Sequence, residues 1–537
     1  MKSKPYTEDN YNIIETITLS DKYKMVMEFS LPTDHKVFCF LEFMKGLDLS
    51  KYLKKEKDTR GRKGYDLEAM LKVVLYAYID EGQVSYSKLE RLCKETIPYI
   101  LIANGETPSA NTFCSFVNNY LVDNIDNIFF DIVLRLIEIM CICTATMFID
   151  GTKFESVANK YTFVWKKCIL TNQNKLFKKI TSSINEMRDQ IGLLYDTKES
   201  YTAHEIGNIA EHLMEQMRKN NIEFVYGRGH KKSALQKCYD TFLNYFCRLD
   251  KYEYWLAVIG DFRNSCSKTD HDATMCALKM DYYCNTGLSR PAYNAQVAVA
   301  DGIIVNACLY QTPGDTKTFI PFMERYHEYT GEYPLNPVAD AAYGSLENYM
   351  YSLSKGMNPT MKYGMYAKKN TPSFKKKEYN PMNWETNSEG FKVCPNGHVF
   401  DVFERDSYDH DSLNIRQVYT SKEKCKDCPF RQKCLSTKKK PNPETNAYKT
   451  VSRNVIKEQM EEVVDSMLGS GFGEELKKQR SVQAEGTFGS IKQNIGFTRF
   501  TRKGLEKAQY EFLMICNSHN FRKYYKFWLE ERENLVN

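Results

Sequence analysis

The chain has 537 residues, more than a single hydrophobic core usually supports, so two to four domains are expected. Hydrophobic residues at 42% and charged residues at 26% exclude a disordered or fibrous chain. The formal net charge of +6 is too weak to name a partner, but residues 361–440 carry 17 Lys and Arg against 10 Asp and Glu, and residues 486–537 carry 9 against 5. That bias fits either late regions that meet a polyanion or a solvated lysine-rich surface.

The opening residues lead into no apolar h-region, so no secretory signal is expected. The most apolar window, residues 127–149, contains Asp131, Arg135 and Glu138, which makes a membrane span costly. Seventeen cysteines is an odd number, and several sit singly within apolar runs (Cys114, Cys141, Cys276, Cys516). This pattern suits a reducing, cytoplasmic compartment rather than a disulfide framework.

Residues 1–143 read as a helical domain. Apolar spacing at Met70, Val73, Val74 and Tyr78 predicts a helix with Asp66 as its N-cap. "SYSKLERLCKE" predicts a second, and "TPSANTFCSFVNNYL" a third opened by Pro108 and Ser109. Short helices joined by tight turns suit a helix-turn-helix, whose last helix lies in a DNA groove. In "TRGRKG", residues 59–64, Arg60 and Arg62 flank a glycine; they suit either a narrow minor groove or a flexible basic linker.

Residues 144–168 read as strands, beginning with "MFIDGTKFES" at 147–156. A lone carboxylate, Asp150, closes this apolar run, and Asp-Gly by itself signals only a turn. Residues 169–260 switch to a helical period. Leu176, Ile180, Ile184, Met187, Ile191 and Leu194 form the seam of an inserted helical hairpin. Over residues 261–364 strands resume. "RPAYNAQVAVADGIIVNACLYQ" predicts a β-hairpin turning at Asp301, and a helix follows. A second apolar run then ends in a lone carboxylate, Asp340, ahead of a helix capped by Ser345 and the short strand "PTMKYG".

Residues 365–450 turn basic and irregular, with Cys394, Cys425, Cys428 and Cys434. A Cys-x2-Cys pair with two further thiols suits a tetrahedral structural Zn²⁺, with His398 as a substitute ligand; four ordinary reduced cysteines are the alternative. Residues 451–537 are helical. They carry Glu485 seven residues before Lys492, which puts both on one helix face. Arg499, Arg502 and Lys503 follow as phosphate-gripping residues, with Phe497 and Phe500 between them as core.

Strand with Asp, hairpin, helix, strand with Asp, helix and strand, then a late helix with Glu: this is the element order of an RNase H-like fold. The fold class expected is therefore multidomain α/β. Its mixed sheet flanked by helices joins an N-terminal all-α helix-turn-helix-like domain, a helical insertion and a Cys-containing basic insertion. First and fourth strands would lie side by side and bring Asp150 and Asp340 together, with Glu485 reaching them. Three such carboxylates repel unless cations sit between them. They predict a site for two Mg²⁺ (or Mn²⁺) ions and in-line displacement at phosphorus.

The blocks "FIDGTKFES", "PVADAAYGSLENY" and "RSVQAEGTFGSIKQNIGFTRFTRKGLEK", with "SKTDHDATM" and "YNAQVAVA" between the first two, resemble the DDE-type transposases of bacterial insertion sequences over nearly the whole chain. The resemblance implies catalytic Asp150, Asp340 and Glu485, and Lys492 near the scissile phosphate. It implies binding of terminal inverted repeats, Mg²⁺-dependent cleavage and strand transfer to target DNA. It also implies at least a homodimer on double-stranded DNA, in the cytoplasm and on the nucleoid. One departure stands out. Many relatives outside this subgroup carry an arginine four residues before the glutamate, where this chain has Ser481, with Arg480 one residue off. A catalytically silent, transposase-derived DNA-binding regulator and a nuclease without strand transfer are the alternative readings.

Overall fold

The computed structural model describes residues 11–14, 29–53, 64–227, 231–278, 289–408, 414–435 and 448–536. Arg60 and Arg62 fall outside the described residues.

The N-terminal region is helical apart from an antiparallel pair, β1 (Tyr11–Ile14) and β2 (Phe29–Pro32), where helix alone was expected. Its helices are α1 (Lys36–Lys45), α2 (Leu67–Glu81), α3 (Tyr86–Glu95), α4 (Ile97–Ile102), α5 (Ala110–Phe116) and α6 (Ile125–Met140). Asp66 caps α2 as its sequence predicts, accepting from the amides of Glu68 and Ala69 at 2.9 and 3.3 Å. Met70, Val73, Val74 and Tyr78 are all buried. Ser109 caps α5, and Glu90 of α3 accepts from the Ala110 amide at 2.8 Å, tying α3 to α5.

The central sheet is mixed. β3 (Thr146–Glu155) runs antiparallel to β7 (Ser289–Ala300) on one side and parallel to β9 (Asn336–Val338) on the other. The far edge of β7 pairs with β6 (Thr274–Ala277) and β8 (Ile303–Tyr310). The β7–β8 turn places Asp301 and Gly302 at φ of 48° and 80°, the tight hairpin its sequence predicts. The "SKTDHDATM" segment also has a packing role. Asp270 and Asp272 accept from the amides of Gly504 and Leu505 at 3.1 and 2.9 Å, satisfying the start of the last helix, Leu505–Val536. That helix is buried from Ala508 to Asn520. A single hydrophobic core runs from the N-terminal helices through the sheet to this helix, so the first 143 residues are not packed as a separate unit.

Two regions have cores of their own. The insertion after β4 (Phe163–Trp165) is a three-helix module: α7 (Lys166–Ile191), α8 (Ala203–Lys219) and α9 (Ala234–Ile259). A hairpin was expected. Leu176, Ile180, Ile184 and Met187 are buried against Ile206, Leu213, Phe242 and Leu249, whereas Leu194 lies beyond the helix end and is exposed. The seam is thus consumed within the chain, and β4 with β5 (Ser265–Ser267) forms the ladder at the module's base.

The basic segment is less irregular than its composition suggests. Strands Val402–Tyr408, Ile415–Thr420 and Thr450–Arg453 make an antiparallel sheet. Beside it Trp384, Phe400 and Val451 form a small core. Among the described residues there is no disulfide, and Cys141, expected in an apolar interior, is exposed at the end of α6. No helix among them is long and apolar enough to cross a membrane.

Candidate active site

Asp150 does not form a turn. It sits midway along β3, whose alternation puts Met147 and Ile149 on one face and Phe148, Asp150, Thr152 and Phe154 on the other. Gly151 points to the first face, opposite Gln296 in the β7 register. A Cβ there would lie 2.4 Å from the Gln296 amide nitrogen, 2.9 Å from the Tyr343 hydroxyl and 3.0 Å from an Asp315 oxygen. Glycine is needed because a polar network crosses directly behind the aspartate. Asp315 accepts from Asn294 at 2.8 Å and Gln296 at 3.0 Å and pairs with Lys153 at 3.0 Å; the Tyr343 hydroxyl donates to Gln296. Burial first, then the charges of Asp315, Asp150 and Asp340, push the Tyr343 hydroxyl up from its ordinary pKa.

Asp340 follows β9. The ladder ends at the Phe148–Val338 pair; Asp150 stands two residues further along β3, and Asp340 two residues past the end of β9. One Asp340 oxygen accepts from the Ala342 amide at 2.8 Å, and Ser345 caps the next helix.

Phe148 and Val338 also fix where the third carboxylate comes from. They pack with Leu476 and Ala484, so the late helical segment lies on the face that carries both aspartates. This segment is an α-helix at Gly471–Arg480, a π-helical turn at Ser481–Glu485, an α-turn at Gly486–Gly489 and a second π-turn at Ser490–Asn494. In a π-turn residues five apart stack, where an α-helix stacks those four apart. The one-residue displacement of the arginine is thereby absorbed. Arg480 Nη2 donates to Glu485 Oε1 at 2.7 Å, and its Nη1 lies 3.9 Å from Asp150 Oδ1. Ser481 Oγ donates to the other Glu485 oxygen at 3.3 Å. The turn is anchored by Gln483, whose side-chain oxygen accepts from the Gly302 amide at 2.6 Å.

Lys492 reaches the same strand face, donating to Thr152 Oγ1 at 2.7 Å with its ammonium 5.2 Å from the Phe154 ring centre. A second lysine, Lys362, was not singled out by sequence. Burial, then Arg480 and Lys477, lower its pKa, while Asp340 and Glu485 oppose them. Nothing in "PTMKYG" marked it; the segment is no strand but a single bridge from Met361 to Ala339, and only the fold brings it beside the carboxylates. Asp315 was missed for the same reason.

The remaining basic residues divide. Arg499 holds the ends of two segments together, donating to the carbonyls of Ser156 and Ala158 at 3.0 and 3.3 Å. With exposed Lys503 it lines an open cleft beside Asn159, Lys160 and Tyr161. Arg502 is drawn into packing instead. It bonds the Tyr86 hydroxyl and stacks on Tyr86 and Tyr510, with centre distances of 4.9 and 5.1 Å. Burial opposes its charge, but Tyr78, Tyr510 and Tyr86 outweigh that and keep its pKa high. Phe497 and Phe500 are core, packed on Phe154.

Cys394, Cys425 and Cys434 pack against the Trp384–Phe400–Val451 core, and Cys428 is within electrostatic range of Cys425 and Cys434. Burial, with a contribution from neighbouring sulfurs, raises the Cys425 and Cys434 thiols. His398 turns its ring to Asn396 at 3.0 Å. Among the described residues, no three His, Cys, Asp or Glu side chains close to metal-holding distance, at this cluster or at the carboxylates.

Two stretches of the chain match known protein families. Residues 393–525, which contain Arg480, Glu485 and Lys492, match the family described as transposase DDE domain. Residues 27–119, the N-terminal helices through α5, match the family described as transposase domain (DUF772). No curated protein and no solved structure matches the chain.

Proposed function

We propose, from the premise that this chain belongs to the DDE-type transposases of insertion sequences, that it binds the terminal inverted repeats of its own element. It then cuts the DNA at the element ends and joins the freed 3′-OH to target DNA. One observation carries the reading: Arg480 is shared by Asp150 and Glu485, with Asp340 two residues past the end of the parallel strand β9 that pairs with β3. The strand order, with β3 between antiparallel β7 and parallel β9, supports an RNase H-like core.

Asp150, Asp340 and Glu485 would hold two Mg²⁺ or Mn²⁺ ions. The donor set suits them: it is all carboxylate oxygen, and the Arg480 guanidinium already stands as a cation between two of its members. Ions held there would supply activation of the attacking oxygen and charge stabilisation at the leaving one. The chain's own groups do the rest. The carboxylates hold charge and do not attack, so no covalent enzyme intermediate forms. Lys492, at Thr152 on the floor of the site, neutralises a phosphate of the transposon end. Lys362, facing Asp340 and Glu485, supplies a second cation.

Double-stranded DNA would run from this floor along the Arg499, Lys503 and Lys160 cleft. The α3–α5 helices and the Arg60 and Arg62 segment would read the repeat. Arg502 contributes by fixing α3 to the last helix. Cys394, Cys425, Cys428 and Cys434 would hold one structural Zn²⁺: three of them pack on a core too small to stand alone, with Cys428 nearby. Elemental measurement on chelator-free protein should find about one Zn²⁺ per chain. An element has two ends and each chain one carboxylate trio, so at least a homodimer acts on DNA, in the cytoplasm and on the nucleoid.

The test is a strand-transfer assay with Mg²⁺ and a plasmid carrying both element ends. Cleaved ends joined to target DNA are the expected product. Cleavage without joining would make the chain a nuclease, and repeat binding without either would make it a regulator. Mixing active chain with a trio-dead variant should depress joining beyond simple dilution.

A further inference from the structure

Arg480 is placed where a cation belongs. Its Nη2 is 2.7 Å from Glu485 and its Nη1 3.9 Å from Asp150, and only 13% of the side chain is exposed. Its Nε is buried without a hydrogen-bond partner. A guanidinium that leaves one donor unmet while facing two carboxylates is held there by charge, since its hydrogen bonding is incomplete. The contact exists because of the π-turn: in a continuous α-helix residues 480 and 485 stand about 140° apart around the axis. The π-turn is itself pinned by Gln483 on Gly302. The carboxylate end is the looser partner, since half of the Glu485 side chain is exposed.

Resting on the active-site reading above, we infer that Arg480 is a built-in counter-ion of the carboxylate site, which a divalent cation must displace from Glu485 before the trio can close on metal. Two consequences follow from charge alone. Without metal, Arg480 relieves the repulsion between Asp150 and Glu485 that would otherwise push them apart. For an entering cation the same charge is a competitor, so metal loading is weaker than the three carboxylates alone would give. The device keeps an unloaded site folded, and it makes loading depend on an anion that can take the guanidinium away. The residue thus acts by positioning Glu485 and opposing the metal, which differs from acting as a ligand.

The probe is Mn²⁺ alone, added to the full chain without DNA, with free Mn²⁺ counted by electron paramagnetic resonance. R480Q removes the charge and should bind Mn²⁺ about five- to tenfold more tightly than wild type. R480K keeps the charge and should stay within about twofold of wild type. R480M serves as the neutral variant where R480Q does not fold, which circular dichroism decides. Affinity unchanged or weakened in the neutral variant, or R480K tightening as much as R480Q, would overturn the inference. D150N separates this from failure of the underlying reading. It should weaken Mn²⁺ binding in the wild-type and R480Q backgrounds. If it leaves binding unchanged in both, or if wild type binds no Mn²⁺, the carboxylate site itself is misassigned and the counter-ion role falls with it.

Discussion

Asp150 and Glu485 share one arginine, yet the chain holds them in opposite ways. Asp150 lies inside a ten-residue strand with a ladder on both sides, is 8% exposed, and has a glycine behind it because a buried network leaves no space for a Cβ. Glu485 ends a π-turn and keeps half of its side chain in solvent. A strand in mid-sheet cannot slip without breaking ladder bonds on both edges. A π-turn is one residue out of α-register and is often found at functional sites. The contrast teaches that the site has a fixed floor and an adjustable wall; under the proposed function, that wall would move for metal to be held by all three carboxylates.

The largest effect tests whether both halves belong to one site. Asp150→Ala, Asp340→Ala and Glu485→Ala should each lower cleavage and joining by at least about a thousandfold while repeat binding stays within a few-fold. Any one of the three retaining near wild-type cleavage would remove that residue from the site. A gel-shift run beside the activity assay separates loss of chemistry from loss of binding.

A second test addresses the joint between floor and wall. The β7–β8 turn is clamped from two sides: Gln483 accepts from the Gly302 amide, and His519 of the last helix lies 3.2 Å from the Gly302 carbonyl. Burial, with Lys523 and Arg522 adding to it, pushes the His519 pKa down to about 4, against the upward pull of the Gly302 carbonyl. The unfolded histidine titrates near 6.5. The unfolded chain therefore binds more protons between these values. Stability is fully present above about pH 6.5 and is lost as pH falls toward 4, by on the order of 3 kcal/mol. Denaturant titrations at pH 7, 5.5 and 4.5 should display that slope, and His519→Gln should flatten it. An identical slope in the variant would assign it to carboxylates instead.

How much of this was legible beforehand follows the same divide. Short-range patterns carried the strands and caps: Asp66 and Ser109 cap the helices predicted for them, Asp301 turns the predicted hairpin, and the strands leading to Asp150 and Asp340 pair in parallel. Patterns that depend on long-range contact were silent. Lys362 and Asp315 join the site only through segments far away in sequence. The π-turn was invisible because it is a departure from regular spacing, and without it Arg480 reads as one residue out of place. The helical seam was legible, but the third helix that it packs against was not.

A pair of glycines sharpens the contrast between floor and wall. Gly151→Ala should cost about 2 kcal/mol, because the new methyl meets the Gln296 amide and Tyr343 hydroxyl in a network with no slack. Gly489→Ala, in the helical segment with nothing within 4 Å of its Cβ, should be neutral or stabilise by up to about 1 kcal/mol. Thermal melts of the two variants test the difference. Equal destabilisation would mean the late segment is as tightly packed as the strand.

The smallest effect reaches the π-turn itself. Gln483 is half-buried and accepts a hydrogen bond from the Gly302 amide at the β7–β8 turn. Gln483→Ala should therefore cost only about 1 kcal/mol of global stability, the net worth of one such bond. Its local effect should be larger than its global one. Freed from Gly302, residues 481–485 can settle toward α-register, which swings Arg480 off the face of Glu485. Hydrogen exchange of the 481–486 amides should quicken while the β3 amides stay protected, since the two regions are held by separate bonds. Mn²⁺ binding in this variant should shift in the direction of R480Q. If exchange speeds up equally along β3, the wall and the floor move together and the contrast drawn between them fails.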